Sequence, residues 1–439
     1  WLTFFYGTLL AGGVPVPVGP TFSFGGIERY LQTVKHIAID AGAQFFVGGD
    51  TVEPHIAFMK QGNPALKDFI HPDRMDARSG SYHSLPSPDP NQTAILQYTS
   101  GTTSLPKGVM LSHRAMLANA FMIGERVQMS TSDFGVSWLP LFHDMGLIGA
   151  LMTSLHWRYP LLLMSAESFL MHPRRWLQAI SRNKATMSVA PNFAYQMVLD
   201  RIGERHSADL DLSRWRCAFN GSEAVRTSTL KSFLDRFGPH GFDNSAIRPV
   251  YGMAENTLAA TFPPNHGTWV AKTLDRDALE INRNAHIVET GALSSVEIVS
   301  VGTPLCGVSV RIANDTGAAL AENSVGEIQI KSPSLMDGYF RNEAKTREAM
   351  CDGFLRTGDL GFIHDGQLYI TGRAKELIIK RGRNYYPDDL EFVAEETAGA
   401  RVQRAAAFSY ANESQGTEDI VLVLETKAMT EQEREQLDK

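Results

Sequence analysis

The chain has 439 residues, of which 43% are hydrophobic and 20% charged. This is an ordinary globular composition and more chain than one hydrophobic core usually serves, so we expect at least two domains. Its 41 basic and 48 acidic residues give a net charge of -7, and they are spread along the sequence. No basic stripe or acidic tail indicates nucleic acid or a membrane surface as a partner, so small molecules or proteins are expected.

The cysteines and the first residues indicate the compartment. Cys217, Cys306 and Cys351 lie far apart without CxxC or Cys/His spacing, so we predict neither a disulfide framework nor a zinc site, and a reducing cytoplasm. Residues 1–18 are apolar, but Pro15 and Pro17 interrupt them well short of the roughly 20 residues that a membrane helix needs. A signal peptide's basic start is also lacking. Since neither end of the chain carries a start or stop signal, we expect an excerpt of a longer protein, truncated at both ends.

Apolar β-type runs alternate with helical periodicity along most of the chain, which is typical of layered α/β architecture. Residues 94–100 fit a strand, and after a glycine-rich loop Ser112 is a candidate N-cap. We therefore predict a strand, a loop and a helix in that order. The predicted buried face of this helix consists of Met116, Leu117, Ala120 and Phe121.

The pattern changes in the last third of the chain. Residues 308–312 and 327–331 alternate apolar with polar side chains, which predicts strands solvated on one face. A parallel, helix-covered region would thus pass into a smaller, more antiparallel one near residue 300. Charge and glycine density rise over residues 372–387, so we place a domain boundary at about residue 374.

The stretch TSGTTSLPKG, residues 99–108, offers hydroxyl groups, unobstructed backbone N–H groups and one lysine, which suit a polyphosphate. It is not the Walker spacing, because Lys107 precedes Gly108 and no Ser or Thr follows for magnesium. Alone, such a cluster is more often a polar surface turn. Taken singly, Glu255 is more often a solvated acid and Asp359 a turn residue between glycines.

In this order and spacing, four segments resemble the adenylate-forming ligases: TSGTT…PKG, YGMAEN at 251–256, RTGDLG at 356–361 and GRAKELI at 372–378. The resemblance covers almost the whole chain and implies ATP and Mg²⁺ as cofactors. It implies an α/β fold with a large N-terminal adenylation domain, residues 1–374, built from helix-covered sheets and a distorted β-barrel-like subdomain. A small, mobile α+β C-terminal domain would begin at residue 375 and run to 439.

The resemblance also implies a set of site residues. The candidate catalytic residues are Lys107, His143 and Glu255, with Glu255 on Mg²⁺ and Lys375 at the hinge between the domains. Asp359 would accept the ribose hydroxyls and Arg373 would approach the ribose. The other candidate ATP-binding residues are Thr99, Ser100, Gly101, Thr102, Thr103, Gly221, Ser222, Glu223, Tyr251, Gly252 and Met253. Ser104 stands where the family usually has glycine, a departure that would stiffen the loop.

The implied chemistry is attack of a carboxylate on the α-phosphorus of ATP with loss of pyrophosphate, so negative charge on phosphate oxygens must be stabilised. No general base is needed, because the nucleophile is already ionised. The family also places a lysine of the small domain at the reacting groups. No such segment is found before Lys439, so we expect this chain to bind ATP better than it turns ATP over.

Three further sequence segments resemble the fatty acyl-AMP ligase branch: PLFHDMGLIG (140–149), RRWLQAISR (174–182) and APNFAY (190–195). In that branch, the residue corresponding to His143 lies beside the acyl carboxylate. Without that context, His143 or Asp144 is as often a satisfied buried polar residue. An alkyl chain would suit an apolar wall, although the same residues could be plain core. That wall would consist of Met145, Leu147, Ile148, Phe193 and Met197.

The acceptor of the acyl group is predicted from a spacing. Gly302 follows Glu255 by 47 residues, farther than expected in acyl-CoA ligases, and residues 263–298 hold the excess. They resemble the insertion of acyl-AMP ligases, which is thought to hinder the domain rotation that lets CoA attack; the alternative is a tolerated surface loop. The expected reaction is ATP-dependent formation of a fatty acyl-adenylate, then transfer to the phosphopantetheine of an acyl carrier protein or synthase carrier domain. The alternatives are a fatty acyl-CoA ligase and a non-catalytic ATP-binding scaffold in a multidomain synthase.

Overall fold

The computed structural model describes residues 1–19, 26–74, 85–99, 105–203, 205, 207–265, 267–380, 383–398, 402–412 and 417–426. Up to residue 99 the elements are α1 (Leu2–Leu10), α2 (Gly26–Asp40), β1 (Phe45–Val47), α3 (Ile56–Lys60), β2 (Asp68–Ile70) and β3 (Thr93–Thr99). From residue 107 to 201 they are β4 (Lys107–Ser112), α4 (His113–Arg126), β5 (Gly135–Ser137), a π-helix (Met145–Met152), α5 (Thr153–Trp157), β6 (Leu161–Leu163), α6 (Ala166–Met171), α7 (Arg174–Arg182), β7 (Met187–Ala190) and α8 (Asn192–Arg201).

The elements from residue 217 to 304 are β8 (Cys217–Asn220), α9 (Thr227–Phe237), β9 (Ile247–Pro249), β10 (Tyr251–Gly252), β11 (Ala259–Phe262), β12 (Ala271–Asp275), α10 (Arg276–Asn282), β13 (Ser295–Val299) and β14 (Thr303–Pro304). The remaining elements are β15 (Ser309–Ala313), β16 (Gly326–Lys331), β17 (Gly338–Tyr339), α11 (Glu343–Glu348), β18 (Met350–Cys351), β19 (Phe354–His364), β20 (Gln367–Arg373), β21 (Ile378–Lys380), β22 (Arg383–Tyr385), α12 (Pro387–Ala398), β23 (Val402–Asn412) and β24 (Thr417–Thr426).

Five strands form a parallel sheet in the order β6-β5-β7-β8-β9. Its strands are short apolar runs, as expected for strands covered on both faces. Helices α7, α8 and α9 bury Trp176, Tyr195 and Phe233 in one core cluster with strand residues such as Val136 and Ala218. The predicted helix-covered parallel region is therefore confirmed.

The segment after residue 99 differs from the prediction. Strand β4 pairs antiparallel with β3, and Thr99 lies opposite Lys107, so the order is strand, loop, strand, helix. Ser112 caps α4 as predicted, because its side chain accepts from the Ala115 N–H at 3.3 Å. The predicted helical face is half wrong: Met116 and Ala120 are buried, whereas two of its four members are exposed. Those two are Leu117 and Phe121.

The later sheets are antiparallel. Strands β15, β16, β19 and β18 form one sheet in that order, with β20 paired to β19. This confirms the predicted change of pattern, but antiparallel pairing is not confined to the residues after 300. It also joins β3 to β4, β10 to β11 and β12 to β13. The predicted solvated face is also incomplete, because Gln329 is buried and donates to Glu327.

The described residues of segment 263–298 are folded. They contribute β12, α10 and β13, and they bury Leu274 and Leu279 in a cluster with Phe362, Tyr369 and Tyr386. Three of these side chains come from outside the segment, on both sides of residue 374. The insertion is therefore a packed element rather than a loose surface loop.

All three cysteines are free: Cys217 is buried, Cys306 is exposed and Cys351 is half-buried. Helix α1 is apolar but only 9 residues long. Across the part of the chain that the structure describes, no helix has both the length and the apolar character to cross a membrane.

Candidate active site

One cavity of about 690 Å³ gathers most of the predicted site residues. The predicted residues that line it are Thr99, Lys107, His143, Ser222, Tyr251, Gly252, Met253, Glu255, Asp359, Arg373 and Lys375. The predicted phosphate-loop residues Ser100, Gly101, Thr102 and Thr103, together with Ser104, lie outside the described residues. Gly221 and Glu223, although described, do not line the cavity.

Lys107 is positioned by strand pairing. It is the first residue of β4, opposite Thr99 at the end of β3, so the hairpin brings both ends of segment 99–107 to the cavity wall. The Lys107 Nζ lies 5.3 Å from the ring centroid of Tyr339, a distance at which an ammonium group and an aromatic face attract. The aromatic ring therefore helps to orient the lysine.

Glu255 is held by the same tyrosine. It lies on a 3-10 turn, and the Tyr339 hydroxyl donates to its Oε1 at 2.8 Å. Burial raises the pKa of the Glu255 carboxyl above its ordinary value, although the Tyr339 hydrogen bond opposes this shift. Sequence reasoning missed Tyr339. The only local signal is an aromatic residue after Gly338, which is too common to single it out.

The donor set at Glu255 fits a magnesium ion. Mg²⁺ is usually bound through one or two carboxylates together with substrate phosphates. Glu255 supplies one carboxylate in the cavity, and Asp144, which also lines the cavity, is close enough that its charge further raises the pKa of Glu255. Two acidic side chains near one lysine suit a metal shared with a phosphate chain.

Asp359, Tyr251 and Arg373 form a second group. Asp359 and Arg373 lie 14 residues apart in sequence but directly opposite each other on β19 and β20, with Arg373 Nε 3.2 Å from Asp359 Oδ1. The Tyr251 hydroxyl donates to Asp359 Oδ2 at 2.6 Å. Burial raises the pKa of the Asp359 carboxyl, and the bonds from Tyr251 and Arg373 offset part of that effect.

Glycine is required beside this group. A Cβ at Gly252 would overlap the carbonyl of Leu258, so only glycine lets β10 approach β11 this closely. Tyr251 is thereby held at the cavity wall with its hydroxyl on Asp359.

His143 and Asp144 precede the π-helix. Asp144 is buried, accepts from the Met145 N–H at 2.7 Å and lies 2.7 Å from His143 Nδ1. The His143 side chain, by contrast, is 52% exposed and lines the cavity. Burial alone would lower the pKa of His143, but the hydrogen bond and charge of Asp144 outweigh it and raise the pKa above 6.5. Asp144 is thus a buried acid held by its neighbours, and both residues line the cavity.

The predicted apolar wall is only partly correct. Met145 lines the cavity, but Leu147 and Ile148 are fully buried in a separate core cluster with residues of β3 and β4, because successive helical residues point in different directions. Phe193 and Met197 do not line the cavity either. The apolar lining that sequence reasoning missed includes Ile123, Val189, Phe219, Leu258, Ala259 and Phe262. These come from α4, β7, β8, β11 and the residue before β11, and no local pattern links them.

The segment 221–223 contributes one residue to the cavity. Ser222, in the left-handed region with φ 76°, lines it. A Cβ at Gly221 would lie 2.7 Å from the Val250 carbonyl oxygen, so glycine is needed for packing. The Glu223 carboxylate accepts from the Phe193 N–H in the first turn of α8, where a negative charge is favourable. The predicted contact of Glu223 with a nucleotide stays a prediction, and its carboxylate is engaged by the Phe193 N–H.

The sequence matches the family described as AMP-binding enzyme over residues 1–340. The chain belongs to this family. Among its relatives, the medium-chain-fatty-acid–acyl-carrier-protein ligase JamA of Moorena producens is 36% identical over 439 residues, covering 96% of this chain and 73% of JamA. The long-chain-fatty-acid–AMP ligase FadD32 of Mycolicibacterium smegmatis is 34% identical over 436 residues, covering 93% of this chain and 68% of FadD32. A Caulobacter vibrioides protein named as an acyl-CoA synthetase is 35% identical over 424 residues, covering 96% of this chain and 73% of its own length.

Solved structures agree with these relatives. A chain from a study of fatty acyl-adenylate ligases of E. coli and L. pneumophila superimposes with a TM-score of 0.90 at 34% identity, covering 99% of this chain and 77% of that one. The L. pneumophila fatty acyl-adenylate ligase in complex with acyl adenylate and pyrophosphate gives a TM-score of 0.79 at 34% identity, covering 100% and 77%. The predicted α/β adenylation fold and the fatty acyl-AMP ligase branch of the AMP-binding enzymes are both confirmed.

Proposed function

We propose that this AMP-binding enzyme activates a fatty acid with ATP, forming an acyl-adenylate and releasing pyrophosphate, and then transfers the acyl group to the phosphopantetheine thiol of an acyl carrier protein or synthase carrier domain. The supporting observation is a single cavity lined both by charged groups, such as Lys107 and Asp359, and by a packed apolar cluster that includes Ile123, Phe219 and Phe262. An acyl-adenylate needs both surfaces. The L. pneumophila ligase solved with acyl adenylate and pyrophosphate supports the same product.

In the nucleotide part of the proposal, Asp359 accepts hydrogen bonds from the ribose hydroxyls, with Tyr251 and Arg373 fixing its carboxylate. Thr99 and Lys107 contact the phosphate chain. Residues 1–374 form the large domain and residues 375–439 begin the small one, with Lys375 as the hinge. A cytoplasmic location is also part of the proposal, because free cysteines suit a reducing compartment.

The chemical step joins the two parts of the cavity. A carboxylate oxygen of the fatty acid attacks the α-phosphorus, and the bond to the β-phosphate oxygen breaks. His143, with its raised pKa, carries positive charge over a wider pH range and orients the carboxylate. Lys107 stabilises the charge that develops on the leaving pyrophosphate. Glu255 would hold Mg²⁺, which supplies further charge neutralisation at the phosphates.

The choice of acceptor rests on contacts between the insertion and the residues after 374. Arg383 Nη2 lies 2.7 Å from Asp277 Oδ1, and its Nε lies 2.5 Å from Glu280 Oε2. Asn384 Nδ2 donates to the Glu280 carbonyl at 2.6 Å. These bonds tie α10 to β22 and support a role of the insertion in hindering domain rotation, which would disfavour CoA.

The test uses the full-length protein with ATP, Mg²⁺, fatty acids of graded length and either CoA or a phosphopantetheinylated carrier protein. Mass spectrometry should detect acyl-adenylate and acyl-carrier with little acyl-CoA, and it would identify the preferred chain length. Abundant acyl-CoA would instead support a fatty acyl-CoA ligase, the function favoured by the name of the Caulobacter vibrioides relative. ATP binding without pyrophosphate release for any acid would support a non-catalytic scaffold.

A further inference from the structure

Two charged residues of the cavity have no role in the site described above. Lys345 and Glu348 lie one helical turn apart on α11 and both line the cavity. Lys345 Nζ is 2.6 Å from Glu348 Oε2, and the two side chains are 47% and 63% exposed. An isolated ion pair of this kind on a helix surface contributes little to stability. Its position in the cavity therefore calls for another explanation.

Helix α11 is fixed to the strand that carries Lys107. Strand β17 pairs with β4, and the Tyr339 N–H donates to Thr346 Oγ1 on α11 at 2.9 Å. The Phe340 N–H donates to the Gly108 carbonyl at 2.8 Å. Through these bonds, α11 and Lys107 share one rigid frame, so Lys345 is held on the phosphate side of the cavity.

Lys345 contacts the Glu348 carboxylate directly, and Lys107 and Lys375 line the same cavity. The Lys345 hydrogen bond and charge lower the pKa of Glu348 most, and the charges of Lys107 and Lys375 lower it further. All three lysines line the cavity. Several cations around one exposed carboxylate form a surface that also suits a polyphosphate, because phosphate oxygens make the same charge-assisted hydrogen bonds.

We propose that Lys345 binds the β- and γ-phosphates of ATP and the released pyrophosphate, and that Glu348 is an internal anion which takes their place between turnovers. This inference rests on the proposed adenylation and extends its phosphate subsite to α11. Lys345 exchanges its bond to Glu348 for one to phosphate when nucleotide enters. Glu348 then lies close to the bound pyrophosphate, and its negative charge favours release.

Calorimetric titration of the full-length protein with Mg-pyrophosphate and, separately, with AMP tests the proposal. Lys345→Met should weaken pyrophosphate binding by about 3- to 10-fold, the range of an incompletely buried charge-assisted bond, and leave AMP binding within about twofold. Glu348→Gln should tighten pyrophosphate binding by a similar factor. The matched control is Arg347→Met, because Arg347 lies on the same helix but pairs outward with Glu343 at 3.6 Å.

Equal effects of Lys345→Met and Arg347→Met on pyrophosphate binding would overturn the proposal, since α11 would then act only through its overall charge. Equal losses for pyrophosphate and AMP would also overturn it, because they would indicate a structural role. Weaker pyrophosphate binding by the Glu348→Gln variant would refute the proposal that Glu348 and pyrophosphate compete for Lys345. These titrations need no turnover, so a protein that forms no acyl-adenylate would refute the proposed function and still give a separate result for the subsite.

Discussion

Replacing Tyr339 with phenylalanine tests the described site most directly. The change removes one hydroxyl, which donates to Glu255 Oε1 at 2.8 Å, and keeps the ring 5.3 Å from Lys107 Nζ. A hydrogen bond to a charged group contributes about 1.5–3 kcal/mol. Because each 1.4 kcal/mol is a factor of ten, kcat/KM for Mg-ATP should fall by about 10- to 150-fold.

The loss should grow at lower pH. The Tyr339 hydrogen bond lowers the pKa of Glu255 against the raising effect of burial, so its removal raises that pKa further. More of the carboxyl is then protonated as pH falls, and a protonated carboxyl binds a metal poorly.

Pyrophosphate release, followed at several Mg-ATP concentrations and pH values, measures both effects. Tyr339→Leu should lower kcat/KM for Mg-ATP more than Tyr339→Phe does, because it also removes the aromatic ring beside Lys107. Tyr410→Phe is the control, because Tyr410 does not line the cavity and its exposed hydroxyl lies 3.4 Å from Asp419 on the β23–β24 hairpin. If Tyr339→Phe stays within twofold of the unaltered enzyme at every pH, Tyr339 does not position Glu255.

Three further predictions follow from charged pairs. The raised pKa of His143 means that its positive charge is lost only as pH rises through that pKa. The KM for the fatty acid should therefore increase over the same pH range. In a profile of KM against pH, Asp144→Asn should move this increase to lower pH. Arg383→Ala breaks the bonds to α10 and should raise acyl-CoA formation in the CoA assay; an unchanged rate would exclude these bonds as the barrier. Burial would raise the pKa of Asp133, but the bonds from Arg216 outweigh it and hold that pKa below 3.8. The ion pair therefore stabilises the fold at pH values above the unfolded-state pKa of Asp133. That stabilisation is lost as the pH falls through the lower pKa of the folded state. Asp133→Asn should lower the free energy of unfolding by about 2–4 kcal/mol near neutral pH, somewhat less than for a fully buried pair because Arg216 is partly exposed. Urea unfolding at pH 7 and pH 3 should show that this loss is smaller in acid.

Several site residues could be predicted because short motifs carry them. Asp359 and Arg373 are an example: their motifs place them in the site, and the hairpin register of β19 and β20 explains why a separation of 14 residues brings them together. Tyr339 could not be predicted in this way. Its contact with Glu255 spans 84 residues and depends on β17 pairing with β4, which no local pattern encodes.

The apolar pattern alone selected the wrong residues in two elements. In α4, both the buried Met116 and the exposed Leu117 fit a helical stripe, and tertiary packing selects between them. The π-helix is similar, because Met145 and Leu147 are both buried although only Met145 lines the cavity. Hydrophobicity alone therefore identifies neither the buried residues of α4 nor the cavity-lining residues of the π-helix.

The insertion shares an apolar cluster with residues on both sides of the proposed hinge, Phe362 and Tyr369 on one side and Tyr386 on the other. Separating them would expose apolar surface to water, and such exposure carries a positive heat-capacity change. Since hydrophobic contacts weaken on cooling, release of the small domain would be easier in the cold than its ionic contacts alone imply. Any step that needs this release should therefore give a curved, rather than linear, Arrhenius plot.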